Sequence, residues 1–450
     1  MQNRRSFLRK SAFAAMSAIP VPTIIPASVL GKNAPSKQIT IGMVGTGRQA
    51  MQANFHIGFR TLKNCRVVAV NDVDSWRRKA ALERINRAYR TKNAVKEYED
   101  YRDLIADKGV DALMCSTTDH WHVPVGIAAA LAGKPVSMEK ALTLCYNHSK
   151  ALVNAIKVKG VANRLDSEFR SGSEIWRPIQ GIRNGVLGKL THVTIGVPVE
   201  MNGATLGPQK DMKVPAELNY DMWLGPAFEA PYTVNRVHPV HSIHGRPGWL
   251  RISDYCNGMI TNWGAHLWDV ALWGMDRERE MPVTVEGTGT FGKGIWNTIQ
   301  RFNLKYTYKD GFQVDYIMGK PYVQFNGEKG WIRIFYRKPP TASNPALLKA
   351  IDEPGKYNFS KTLSDKADFL RSIETGKPSL EPIDVGHNVY STCYMGLCCL
   401  TQGHKLTWDS VKERFVNDNA ANAMLSRPFR TKWLDKEVAD WMNKFQKVEF

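Results

Sequence analysis

The sequence predicts a two-domain α/β protein: a doubly wound parallel sheet at the N-terminus, then a second α/β domain on an open, mostly antiparallel sheet. Three observations predict it. From residue 39 an apolar run, Ile39-Thr-Ile-Gly-Met-Val-Gly-Thr-Gly, breaks into glycines at Gly42, Gly45 and Gly47. Up to about residue 165 short apolar strands alternate with helical periods, as parallel βαβ units require. Beyond Gly188 the runs lengthen and alternate apolar with polar, separated by turns such as Lys309-Asp-Gly and Asn326-Gly. That is the pattern of antiparallel strands with one buried face.

The first strand feeds a tight turn and then a helix. Gly45 permits the turn, and Gly47 lets backbone N–H groups approach a pyrophosphate. Arg48 and Gln49 open the helix, whose N-terminus attracts phosphate, and Ala50 supplies the small residue that lets helix pack on strand. A second apolar run, Cys65-Arg-Val-Val-Ala-Val-Asn, ends at Asp72, 25 residues after Gly47. A carboxylate there accepts hydrogen bonds from the ribose hydroxyls of NAD and repels a 2′-phosphate. The expected cofactor is therefore NAD, with NADP kept open by Arg77 and Arg78. Residues 111–118 form a buried strand, 124–132 an amphipathic helix and 134–138 the next strand. Ligands of such sheets bind beyond the carboxyl ends of the strands. Thr117, Asp119, Trp121 and His122 after one strand, and Glu139-Lys140 after the next, should then face the nicotinamide. Lys140 is placed to exchange a proton with a substrate hydroxyl.

These motifs, with Gly133-Lys134-Pro135 and the segment Gly258 to Asp269, resemble the Gfo/Idh/MocA oxidoreductases, named for glucose–fructose oxidoreductase and inositol dehydrogenase. The resemblance runs from Gln38 over most of the chain, with Ala141 where the family usually has proline after Glu-Lys. It implies a Rossmann domain, then an α/β domain whose open sheet carries the substrate pocket and often an oligomer interface. It also implies NAD(P)-dependent oxidation or reduction of sugars, inositols and related polyols. By this resemblance Lys140 is the catalytic lysine, and Glu139, Trp121 and His122 line the nicotinamide half of the cofactor.

In Asn262-Trp263-Gly264-Ala265-His266-Leu-Trp-Asp269, helical spacing puts Asn262, His266 and Asp269 on one face. The family commonly has Asp where this chain has Asn262, and an amide accepts no proton. His266 is then the leading acid/base, with or in place of Lys140. Asn262 orients the hydroxyl or the imidazole, and Asp269 either orients His266 or caps the helix. The run His238-Pro-Val-His241-Ser-Ile-His244 invites a zinc reading. Pro239 and Gly245-Arg246-Pro247 make it an irregular loop, however, and no Asp, Glu or Cys accompanies it. A substrate-pocket loop is expected and no metal. Arg236 and His238 are candidates to hydrogen-bond sugar hydroxyls or a carboxylate. Trp249, Tyr255 and Trp263 offer apolar faces to a sugar ring. Arg170, and Arg164 before it, lie where the resembled family approaches nicotinamide and substrate.

Asn3-Arg4-Arg5-Ser6-Phe7-Leu8-Arg9-Lys10 precedes an uncharged, mostly apolar stretch to Leu30, which resembles a twin-arginine export signal. The expected partner is the twin-arginine export machinery, and the expected location the periplasm or cell envelope. Formal charge is +19, of which residues 1–33 carry five basic groups and no acidic one. The remaining positive charges are scattered, with no basic helix or RNA-type aromatic motif, which argues against nucleic acid. Seven cysteines without CxxC spacing read as buried thiols. The domains expected are a signal segment over 1–33, an NAD-binding Rossmann domain over 37–165, and a substrate-binding domain with C-terminal helices over 166–450. An open sheet face suggests a homo-oligomer.

Three functions compete. The first is a sugar or polyol oxidoreductase, in which a hydroxyl gives its proton to His266 or Lys140 and its C–H hydride to tightly held nicotinamide. The second is a glycosidase that uses NAD catalytically through transient oxidation of the sugar. The Tyr-Pro-Thr-His segment of its N-acetylgalactosaminidase branch is absent here. The third is a non-catalytic sugar-binding protein, against which Lys140 and His266 argue.

Overall fold

The computed structural model describes residues 38–200, 203, 205–359 and 364–446. The expected export segment over 1–33 lies outside them. Six strands make the first sheet: β1 Ile39–Val44, β2 Cys65–Asn71, β3 Lys96–Tyr98, β4 Ala112–Cys115, β5 Val136–Glu139 and β6 Asn163–Asp166. All pairs are parallel, in the order β3-β2-β1-β4-β5-β6. The strand order reverses between β1 and β4, where ligands of doubly wound sheets bind.

Two elements of this domain differ from the expectation. The helix after Gly47 is wound as a π-helix from Ala50 to Gly58. That winding points Asn54 inward, where its Nδ2 donates to Glu139 Oε1 and to Ser116 Oγ, both at 2.9 Å. The helix expected from Pro124 begins at Asp119 and runs to Leu131. Asp119 through His122 therefore form its first turn rather than a loop. Pro124, early in the helix, costs only one backbone bond.

The second sheet has nine strands in the order β13-β12-β11-β7-β10-β9-β8-β14-β15. They are β7 Leu190–Pro198, β8 Thr284–Phe291, β9 Ile299–Thr307, β10 Gln313–Gly319, β11 Tyr322–Gly327, β12 Gly330–Phe335, β13 Lys338–Ala342, β14 Leu406–Asp409 and β15 Arg414–Phe415. Only β7 and β10 pair in parallel. Along β9, Phe302, Leu304 and Tyr306 are buried while Arg301, Asn303 and Lys305 are exposed, so one face is packed and the other polar. The helices Gly264–Met275 and Ile383–Gln402 cover the packed face. Gly264 lets the first of them sit close, since a Cβ there would lie 2.4 Å from Tyr316 Oη.

The chain then returns to the first domain. Helix Asp365–Thr375 sets Phe369 and Leu370 into the core under β1 and β2 with Ile41, Met43 and Val67. All seven cysteines are buried free thiols.

Candidate active site

A cleft of about 520 Å³ runs from the glycine turn, past the carboxyl ends of β1, β4 and β5, to the face of the helix carrying His266. At one end Gly45 has φ +87°, and a Cβ there would meet Ser116 O at 2.6 Å, so only glycine makes this turn. Beside Gly47 the nearest atom to a Cβ is Arg77 Nη1 at 3.8 Å, which leaves the backbone open to a ligand. Arg48 and Gln49 line the same end. Asp72 Oδ2 accepts from Thr46 N and Oγ1, both at 2.9 Å, and Oδ1 from Asp74 N at 3.1 Å. Three of about four acceptor positions are used, and Oδ1 keeps one for a ribose hydroxyl.

Thr117, Asp119, Trp121, Glu139 and Lys140 line the middle of the cleft. Burial raises the carboxyls of Asp119 and Glu139, and Asp119 Oδ2 is buried without a partner. Trp121 spends its indole N–H on the carbonyls of Met222 and Trp223, tying the second domain to the first. His122 does not line the cleft. Its Nδ1 lies 2.7 Å from Ala141 O, so it holds the backbone just after Lys140 from beneath. The Lys140–Ala141 peptide is cis. Lys140 Nζ makes no hydrogen bond to protein among the described residues. A glycine turn with an open backbone, a carboxylate with a free acceptor position and an orphan polar atom in the same cleft fit a dinucleotide.

At the far end, residues 167–169, just after β6, organise His266. Ser167 Oγ lies 2.8 Å from His266 Nδ1. Phe169 stacks on the imidazole at 4.3 Å between centroids and 7° between planes. Tyr336, in the tight turn between β12 and β13, stacks on Phe169 at 4.3 Å and 6°, completing a stack of three rings. Tyr336 Oη donates to Glu168 Oε1 at 2.8 Å. Trp263 stands edge-on to this stack, 6.3 Å from His266. Burial pushes His266 down to about 4, outweighing the upward pull of Glu168. The imidazole is therefore neutral at neutral pH. Burial works to raise the Glu168 carboxyl, but His266 and the Tyr336 hydrogen bond hold it below its ordinary value. Asn262 lines the cleft with its amide free of protein partners among the described residues.

Several expectations are corrected. Asp269 does not orient His266: it is fully buried against Arg170, whose Nε donates to Asp269 Oδ2 at 2.8 Å. Arg170 also bonds Glu278 and Leu380 O and lies outside the cleft. Arg164 is wholly buried, paired with Asp166 and Asp368. Arg236 bonds Pro231 O and Tyr255 Oη, and Tyr255 packs under His120 and Trp223; neither lines the cleft. His238 does line it, but at the Asp72 end, with Nε2 at 3.1 Å from Asp74 Oδ2. His241 bonds Glu217, and His244 lines the cleft.

Glu168, Tyr336 and Arg246 are site residues that the sequence reading did not select. Tyr336 is brought in by strand pairing alone, which no local pattern signals. Arg246, in the irregular Gly-Arg-Pro loop, makes a two-point contact with Glu200 at 2.7 and 2.8 Å, and Arg251 shares the same carboxylate at 3.3 Å.

Residues 39–166 match the oxidoreductase family model for an NAD-binding Rossmann fold, and 178–435 the model for that family's C-terminal alpha/beta domain. A glycosyl hydrolase family 109 protein of Stenotrophomonas maltophilia is 24% identical over 251 residues, covering 54% of this chain and 53% of that protein. Inositol 2-dehydrogenase 1 of Saccharopolyspora erythraea is 39% identical over 106 residues, covering 23% and 29%. The chain thus spans about half, or less, of the curated relatives it matches. The WlbA dehydrogenase of Bordetella pertussis, solved with NADH and UDP-GlcNAcA, shares the fold at a TM-score of 0.59 and 15% identity, covering 83% of this chain and 99% of that one. With both models matched and together spanning most of its length, the chain belongs to the Gfo/Idh/MocA oxidoreductase family and carries its NAD-binding Rossmann domain.

Proposed function

We propose that the protein oxidises a hydroxyl of a sugar or polyol, using NAD. One observation carries this reading: Lys140 from the first domain and His266 from the second line the same dinucleotide-sized cleft, each with a nitrogen free of protein partners among the described residues. When bound, the nicotinamide supplies the acceptor for the hydrogen on the carbinol carbon. In the tautomer whose Nδ1–H donates to Ser167, His266 keeps a lone pair on Nε2 for the hydroxyl proton. Glu168 then faces the imidazolium with a negative charge. Lys140 Nζ and the Asn262 amide hold the oxygen in place.

The relative named as a glycosyl hydrolase family 109 protein supports a second reading, an NAD-dependent glycosidase working through transient oxidation at the same residues. Incubation with a panel of sugars and glycosides separates the two when bound-cofactor absorbance and products are followed together. Net cofactor reduction with a keto product supports the first reading, and aglycone release without net reduction the second. Export through the twin-arginine pathway to the envelope rests on Arg4-Arg5 and the apolar stretch that follows, and Arg4→Lys with Arg5→Lys should hold the protein in the cytoplasm. A homo-oligomer joined through the polar face of the nine-stranded sheet is supported by that uncovered face and is tested by light scattering on eluting protein.

A further inference from the structure

We propose that residues 238–244 of the second domain wall the adenosine end of the cleft and slow release of NAD(H). The inference builds on the cofactor reading of the cleft and does not depend on the substrate. Asp72, Val73 and Arg77 line this end on one side, and His238, Pro239 and His244 on the other. The wall is fastened at several points. His238 Nε2 lies 3.1 Å from Asp74 Oδ2, while Asp74 Oδ1 caps the helix Ser75–Tyr89 through Arg77 N at 3.2 Å. Arg77 Nη2 donates to Ser242 O at 2.8 Å and Pro239 O at 3.3 Å. The same corner is held again by Ser75 N to Glu217 O at 2.9 Å and Asn219 N to Val73 O at 3.0 Å, with His241 bonded to Glu217.

A 2′-phosphate is recognised by a guanidinium or ammonium with donors to spare. Arg77, 6% exposed, turns Nη2 to the loop carbonyls and keeps Nη1 beside Gly47 with no hydrogen bond among the described residues. Arg78 donates Nη1 to Asp72 O at 2.6 Å and turns its remaining nitrogens toward Glu97 and Glu99. Arg78 is thus committed, whereas Arg77 keeps a donor at the cleft, so the wall bears on release of the cofactor and not on the choice between the two dinucleotides. His238, expected at the substrate, instead serves the cofactor end.

The test is dissociation of NADH and NADPH from the purified full chain, followed by fluorescence on displacement with excess oxidised cofactor. Arg77→Ala and His238→Ala should each speed NADH release about tenfold, the size of one lost hydrogen bond. His238→Gln, which keeps a donor toward Asp74, should restore much of the slow release and guards against misfolding of the alanine variants. Unchanged NADH release in both alanine variants would overturn the proposal. A wild type that binds neither dinucleotide would overturn the cofactor reading and this inference together.

Discussion

The Ser167 hydroxyl lies 2.8 Å from His266 Nδ1, so a residue just after β6 of the first sheet sets the imidazole of the second domain. The expected partner, Asp269, is given over to Arg170. Chemically the exchange matters. A carboxylate would raise the imidazole toward imidazolium, whereas a hydroxyl leaves it neutral and fixes which nitrogen faces the substrate.

Ser167→Ala should therefore lower turnover about tenfold, the effect of one neutral hydrogen bond, while KM changes little. Steady-state kinetics with thermal melting checks this. A purely structural serine would show a lowered melting temperature with turnover intact.

Lys140→Ala and His266→Ala should each lower turnover by about 10²–10⁴-fold. The double variant should cost far less than the product of the two, because groups serving one proton transfer act as a unit. Single-turnover rates on folded variants measure the deficit directly. Multiplicative losses would place the two residues in separate steps.

Asn262→Asp tests proton transfer at His266. With the imidazole pushed down to about 4 by burial, the acid limb of the wild-type rate profile should fall near that value. A carboxylate four positions before His266 favours imidazolium, so the limb should move to higher pH. An unmoved limb, with His266→Ala still inactive, would make His266 a positioning residue and leave Lys140 as the base.

Buried histidines should also shape stability. Burial pushes His148 down to about 4, although its hydrogen bond to Arg427 O opposes this. Its folded value lies below the unfolded one, so its contribution is full above about pH 6.5 and is lost as pH falls toward 4. His148→Gln keeps a donor for the Arg427 carbonyl without a titrating ring. The variant should flatten the fall in unfolding free energy across that window by about 1.4 kcal/mol per pH unit at most. Chemical denaturation at stepped pH measures the slope.

The periodicities carried much of the fold: both sheets, the turn at Gly45 and the strand ending at Asp72 lie where local pattern placed them. The π-winding of Ala50–Gly58 escaped because its cause is tertiary, the pull of Asn54 onto Glu139 and Ser116. At the site, Lys140, His266 and Asn262 were legible because each sits at a strand or helix terminus of a recognisable motif. Arg170 and Tyr255 were misplaced because a buried arginine paired with Asp269 and a core tyrosine carry the same local sequence signals as ligand contacts. Tyr336 and Glu168 were missed for the opposite reason: the pairing of β12 with β13 and the stack on Phe169 bring Tyr336 to the cleft, and Glu168, just after β6, is set there by Tyr336 and His266.

A carbinol hydrogen should leave the sugar where Lys140 and His266 line the cleft. The most direct measurement is a single turnover with a sugar deuterated at its carbinol carbons, followed by mass spectrometry of the nicotinamide released on denaturation. The account predicts one deuterium on the reduced nicotinamide in wild type and about 10²-fold less in His266→Ala over the same interval. Product formed from the deuterated sugar with no deuterium on the nicotinamide would contradict it.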